Sequence, residues 1–222
     1  MTLTRRSALK QRAPEVIRLL EEGYPGARVA LEFSNPLECL VATILSAQAT
    51  DKKVNEVTRE LFRKYRTAED YLRVPEEELA RELKPTGFFN QKTKAVRGAC
   101  RMIVEEFGGR VPDSMAELDS LPGVARKTAN IVLWNSYPEK AAADPDVGIA
   151  VDTHVRRVSQ RLGFTREKDP PKIERDLMKL LPKDRWYSFS YVLIEHGRAI
   201  CKAPTPRCEV CPVNHLCPSS LV

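Results

Sequence analysis

The sequence predicts an all-α protein. Two observations carry this. Apolar residues recur at spacings of three and four along most of the chain, and no segment alternates as a half-buried strand would. Residues that start and stop helices stand at the ends of those periodic stretches. The pattern amounts to about nine or ten helices with short connections.

The first clear helix begins at Asn35-Pro36-Leu37-Glu38. Asn35 can cap, Pro36 suits the first turn, and Glu38 follows the cap by three residues, as in a capping box. Leu37, Leu40, Val41, Ile44 and Leu45 are apolar over a wide arc, which predicts a buried helix. Thr50 can cap the next, whose Val54, Val57, Leu61 and Phe62 share a face. Pro75 opens a short acidic helix ending near Leu83. Phe89, Lys92, Val96, Ala99, Cys100, Ile103 and Phe107 mark a longer one, stopped by Gly108-Gly109. Further helices are expected near 114–119, 126–136, 152–162, 171–181 and 186–199. Gly163 is placed as a C-cap, Pro170-Pro171 opens the helix after it, and Pro182 closes that helix. From Tyr137 to Gly148, a mix of Pro, Ala and Asp predicts a loop, a candidate boundary or insertion.

The 222 residues suit one large domain or two small ones. With 42% apolar and 30% charged residues, neither a disordered nor a fibrous chain is expected. The net charge of +6 admits a polyanion as partner, though it also fits simple solubility. No apolar run approaches the ~20 residues that span a bilayer. Met1 to Lys10 is basic without an apolar core, so a secretory signal is not expected and a cytoplasmic location is.

Six cysteines are unevenly spread. Cys39 and Cys100 fall on apolar helical faces and should pack as small hydrophobes. Cys201, Cys208, Cys211 and Cys217 form C-x6-C-x2-C-x5-C, interleaved with Pro204, Pro206, Pro212 and Pro218. The prolines forbid a regular helix and predict a stiff loop around four sulfurs. Two disulfides would not suit a reducing cytoplasm, so a four-thiolate metal site is the better reading. Zinc and an iron–sulfur cluster both take four thiolates.

Asp119 to Ala129 joins two expected helices through a tight Leu121-Pro122-Gly123 turn. The helix that starts near Arg126 directs its free amides and positive dipole end out of that turn. This can hold a phosphate without reading a base, and a plain helix connection is the other reading. Lys127 lies in the first turn, where the dipole and Arg126 both favour a neutral amine, the form a Schiff-base nucleophile needs. In isolation a solvated surface lysine is the plainer reading. Asp152, in Val151-Asp152-Thr153-His154-Val155, can cap the following helix, a contribution of roughly 0.5–2 kcal/mol. Its carboxylate can also stabilise a developing cation. His154 packs or donates to a phosphate.

Five stretches stand in one order. They are Leu45-Ser46-Ala47-Gln48-Ala49-Thr50-Asp51, Gly87-Phe88-Phe89-Asn90-Gln91-Lys92, Leu121 to Asn130, Val151 to Val155, and the cysteine spacing. Together, from about residue 30 to 217, they resemble the endonuclease III family. The resemblance implies a DNA glycosylase with lyase activity that removes oxidised pyrimidines. It implies a six-helix barrel domain with a helix-hairpin-helix at 29–140. A discontinuous iron–sulfur domain is then expected from 1–28 and 141–222, with a DNA-binding cleft between the two. Lys127 would attack C1′ of a flipped nucleotide and cut the strand by β-elimination. Asp152 would stabilise positive charge on the sugar or move protons to and from Lys127. Cys201, Cys208, Cys211 and Cys217 would hold a [4Fe–4S] cluster that shapes a loop rather than reacting. Gln48 and Phe88 would fill the gap left by the flipped base. Gly123, Ala125, Arg126, His154 and Arg157 would contact DNA, with Asp51 near the site. The implied partner is double-stranded DNA with damaged bases or abasic sites. The protein would be a monomer that is cytoplasmic and joins the nucleoid when bound.

Four departures imply a divergent paralogue. Ala125 stands where the family usually has a second glycine, and its methyl group is expected to restrict φ or push the phosphate away. The loop before Asp152 is long. Phe88 is bulkier than an aliphatic wedge. Only Lys202 and Arg207 are basic between Cys201 and Cys208. A mismatch-type adenine or thymine glycosylase is the other enzyme reading, but those enzymes lack the hairpin lysine. Adenine-type enzymes usually carry a further C-terminal domain, whereas five residues follow Cys217 here. A DNA-binding homologue with weak or no catalysis is the non-enzyme reading.

Overall fold

The computed structural model describes residues 3–222. Among these, the chain forms twelve α-helices and no strand. They are α1 (Leu9–Gly23), α2 (Pro36–Leu45), α3 (Asp51–Lys64), α4 (Ala68–Arg73), α5 (Glu76–Leu83), α6 (Phe89–Glu106), α7 (Met115–Ser120), α8 (Arg126–Ser136), α9 (Pro138–Ala143), α10 (Thr153–Arg161), α11 (Pro170–Met178) and α12 (Trp186–Ala199). The chain divides into two units. One is the continuous segment 30–147. The other joins 1–29 to 148–222. No helix among the described residues is long and apolar enough to cross a membrane.

In the 30–147 unit α2 is the central helix. Its residues 39–45 are all buried, and it packs on α3, α6 and α8. Such burial follows from an apolar arc too wide for a surface helix. Asn35 caps it by accepting the Glu38 N–H at 3.0 Å. The Glu38 carboxylate turns to Ser34 rather than to Asn35, accepting its N–H and hydroxyl. Thr50 caps α3 through the Lys53 N–H. Cys39 and Cys100 are fully buried on α2 and α6, where burial pushes their thiols up to about 11 and about 12. They are packing groups, as expected.

Three helices go beyond those the sequence predicts. α1 is rich in Arg and Glu and contains Pro14, which obscures its apolar Ala13, Val16, Ile17 and Leu20 stripe. α4 is a single short helix set by the Thr67–Asp70 capping box. α9 lies within the segment 137–148, for which the composition predicts a loop. Pro138 occupies its first turn, Ala141 is fully buried, and the Tyr137 hydroxyl donates to the Val111 carbonyl at 2.7 Å. The Asp144 carboxylate accepts the Met115 N–H at 2.8 Å. These ties carry 141–147 with the 30–147 unit, where the sequence reading places a boundary at 140/141.

The other unit closes around one apolar core. Val16, Ile17 and Leu20 of α1 meet Val155 and Val158 of α10, Ile173 and Leu177 of α11, and Phe189, Val192 and Leu193 of α12. Val213 and Leu216 from the cysteine loop complete it. Burying side chains of this kind contributes about 1.5–3 kcal/mol each. The N-terminal helix is therefore held by distant chain: Arg12 donates to the carbonyl of Leu216, 204 residues away.

Candidate active site and cysteine loop

The α7–α8 turn is built by close approach to α6. Gly123 has φ +77°, and a Cβ there would lie 2.5 Å from the Ala95 Cβ. Glycine is required on both grounds, conformation and space. Pro122 faces Gly98 of α6, where a Cβ would come within 2.9 Å of the Pro122 Cβ. Small residues on α6 thus form a notch that seats the turn. Sequence reasoning picks out Gly123 and misses this receiving surface, whose only signal is an Ala–Gly pair at a spacing of three.

Ala125 is the N-cap of α8 with φ −105° and ψ 167°, an extended conformation open to any residue. The expectation that its methyl group restricts φ is corrected: this position does not need glycine. No side chain caps α8. Lys127 is exposed in the first turn and Arg126 is half-buried beside it. One Arg126 Nη donates to the Asp146 carbonyl at 2.7 Å, tying the 137–148 segment to the hairpin.

Asp152 caps α10 with both carboxylate oxygens engaged. Oδ1 accepts the His154 and Val155 amides, each at 2.8 Å. Oδ2 lies 3.1 Å from His154 Nδ1. The carboxylate is 19% exposed, reachable from one side. His154 therefore orients the carboxylate. Gly197 of α12 lets α10 approach closely there, since a Cβ would lie 3.3 Å from the His154 Cβ.

Gln48 and Phe88 share a backbone property invisible in the sequence. They are the non-glycine residues with positive φ among the described residues, at 53° and 47°. Such strain costs of order 1–3 kcal/mol and gathers at functional sites. Phe88 is 56% exposed at the start of α6. The turn before it is held by Lys92, a buried side chain whose Nζ donates to the Thr86 carbonyl at 2.7 Å. Burial lowers the pKa of that ammonium. Sequence reasoning sees Lys92 only as part of a helical pattern. Asp51 is half-buried at the first position of α3.

All six cysteines are free thiols in the structure. Cys201, Cys208, Cys211 and Cys217 line one cavity, together with Arg161 and His196. Burial pushes the Cys211 thiol up to about 11 and raises Cys217, and the neighbouring cysteines add to both shifts. Arg157, expected near phosphate, donates from Nε to the Cys201 carbonyl (3.2 Å) and from Nη2 to that of Gly197 (3.0 Å). Arg161 donates to the Cys201 and Lys202 carbonyls and lies 3.4 Å from Cys201 Sγ. His196, 1% exposed, has Nε2 3.7 Å from Cys211 Sγ and Nδ1 3.2 Å from the Tyr24 hydroxyl. Burial lowers its pKa to about 4. Sequence reasoning does not single out Arg161, His196 or Tyr24; Tyr24 and His196 stand 172 residues apart.

In the 30–147 unit the structure thus groups Gly123, Ala125, Arg126 and Lys127 at one turn, with Gln48, Asp51 and Phe88 at other helix starts and ends. In the other unit Asp152, His154 and Arg157 share the first half of α10, whose second half meets the cysteine loop. Residues 41–183 match the family described as HhH-GPD superfamily base excision DNA repair protein. Endonuclease III of Synechocystis sp. is 50% identical, covering 98% of this chain and 97% of its own. A solved non-covalent endonuclease III–DNA complex matches with TM-score 0.90 and 40% identity, covering 96% of this chain and 97% of that one. A trapped covalent endonuclease III–DNA intermediate, an estranged-adenine complex, matches with TM-score 0.90 and 40% identity over 96% and 98%.

Proposed function

Since the chain belongs to the HhH-GPD superfamily of base excision DNA repair proteins, and within it to the endonuclease III family, we propose that Lys127 is its covalent nucleophile. The protein is a DNA glycosylase and abasic-site lyase whose partner is DNA. The observation that carries the role of Lys127 is local. Its amine is exposed in the first turn of a helix that no side chain caps, on a turn fixed by Gly123.

The chemistry follows from an amine so placed. A damaged nucleotide leaves the stack, at a few kcal/mol that is least for poorly paired bases. Neutral Lys127 Nζ attacks C1′ and forms a C–N bond. The base leaves with the electrons of its glycosidic bond and takes up a proton. Loss of an amine proton and opening of the sugar ring give an imine between Lys127 and C1′. The imine acidifies the C2′ proton. Its removal forms a C2′–C3′ double bond and expels the 3′ phosphate with the C3′–O electrons. Water then hydrolyses the imine and frees Lys127. Asp152, anchored by two amides and His154, is the carboxylate proposed to stabilise positive charge on the sugar or to assist proton transfer to and from Lys127. Oxidised pyrimidines are the proposed substrates. Arg126 and the α8 amides receive a phosphate, and Gln48 and Phe88 fill the gap in the stack.

The cysteine loop fits a [4Fe–4S] cluster. Its four thiols line one cavity, and four thiolates are the ligand set such a cluster takes. Cys201, Cys208, Cys211 and Cys217 would be its ligands. Bound there, the cluster supplies a cross-link that fixes the loop, and its charge favours the thiolates.

Borohydride added during incubation with abasic duplex tests the nucleophile. Wild type is expected to form a covalent protein–DNA adduct and Lys127→Ala none. An equal yield from Lys127→Ala would overturn the assignment.

A further inference from the structure

We propose that His196, with its ring oriented by Tyr24, donates a hydrogen bond to the Cys211 sulfur and so tunes the reduction potential of the cluster. This rests on the cluster reading above. The imidazole is wholly buried, with Nε2 at 3.7 Å from Cys211 Sγ and Nδ1 at 3.2 Å from the Tyr24 hydroxyl. A thiolate bound to iron can only accept. The nitrogen facing it must therefore carry the proton, and in the neutral ring Nδ1 is left to accept from the Tyr24 hydroxyl. The Tyr24 and His196 rings meet edge to face, with centroids 5.8 Å apart at 75°, which fixes the ring plane as well as the tautomer. The backbone adds to the same anchor. The His196 carbonyl accepts the Cys201 amide at 2.8 Å, so one residue holds the first cysteine by its main chain and the third by its ring.

The arrangement differs from that of Arg161. The Arg161 Nη1 near Cys201 Sγ is shared with two carbonyls, and its main task is to seat the loop. His196 directs one N–H at one sulfur. An N–H bond to a ligating sulfur draws electron density from it and stabilises the reduced cluster more than the oxidised one, which raises the potential. Its removal must lower the potential.

The test uses the full chain, purified without oxygen with its iron, in Tyr24→Phe, His196→Leu and His196→Gln forms. Protein-film voltammetry reads the potential, and bleaching of the visible absorbance under an iron chelator reads cluster retention. His196→Leu should shift the midpoint to lower potential and bleach faster. Tyr24→Phe, which removes one hydroxyl, should shift it in the same direction by less at unchanged iron content. His196→Gln, with an amide N–H to offer, should recover part of the shift. If His196→Leu fails to retain iron, the other two variants decide. Iron-replete Tyr24→Phe and His196→Gln that both keep the wild-type potential overturn the proposal while leaving the cluster reading standing. Wild-type protein without iron overturns that reading and this one with it.

Discussion

Two helix starts in this chain are built in opposite ways. α8 begins at Ala125, which has no side chain to cap with, and its first turn exposes Lys127. α10 begins at Asp152, whose carboxylate takes two of the helix's own amides. Each start carries about half a positive charge from the aligned peptide dipoles. At α10 the chain satisfies that charge with its own anion and thereby aims a carboxylate. At α8 no side chain meets that charge. One backbone feature thus holds a carboxylate in one place and, in the function proposed above, receives a phosphate in the other. Which use applies is decided by one residue, the N-cap.

Substitutions at these starts can break or sharpen the contrast. The largest effect is expected at Asp152→Asn. Asparagine caps as well as aspartate, so melting should change little. The charge is lost, and single-turnover base release and strand cutting should fall about 10²–10³-fold, as when one preorganised electrostatic partner is removed. A rate near that of wild type would reduce Asp152 to a cap. Asp152→Ala should add about 0.5–2 kcal/mol of destabilisation in urea unfolding, because the cap goes too.

Gly123→Ala should come next. Its methyl group meets Ala95 and the backbone must leave φ +77°, so unfolding in urea should show a loss of about 1–3 kcal/mol. Affinity for an abasic duplex should fall with it, since the turn that presents α8 is displaced. Unchanged stability would mean that α6 yields easily and the notch is loose. The smallest effect is the most pointed. Ala125→Asp gives α8 the cap that α10 already has, which should add about 0.5–1 kcal/mol of stability. The same carboxylate should weaken DNA binding about tenfold at fixed salt, by occupying the amides and repelling phosphate. Binding as tight as wild type would show that the α8 start is not where phosphate sits.

Much of this is legible in the sequence because it is local. Asn35, Thr50 and Asp152 cap within three residues of the amides they bind, and the faces of α2 and α6 repeat within a few turns. Lys127, Asp152 and the four cysteines stand in short motifs. What escapes depends on distant partners or on packing. α9 is hidden by Pro138, which here starts a helix rather than breaking one. The positive φ of Gln48 and Phe88 falls on residues other than glycine, so their residue types do not announce it. Arg157, which the resemblance implies lies near a phosphate, also donates to carbonyls 40 and 44 residues away, partners that no local pattern announces.

The notch on α6 has a consequence for how this sequence can change over generations. Ala95 and Gly98 are opposed by Gly123 and Pro122, and added bulk on either side fills the same small space. The four positions therefore form an epistatic block. A larger residue at 95 or 98 is tolerated only alongside a compensating change in the turn, and double substitutions within the block should be strongly non-additive. Ala125, two residues past Gly123 and in an unstrained backbone, lies outside it. Substitutions at Ala125 should therefore combine additively with changes at the other four, where those within the block should not.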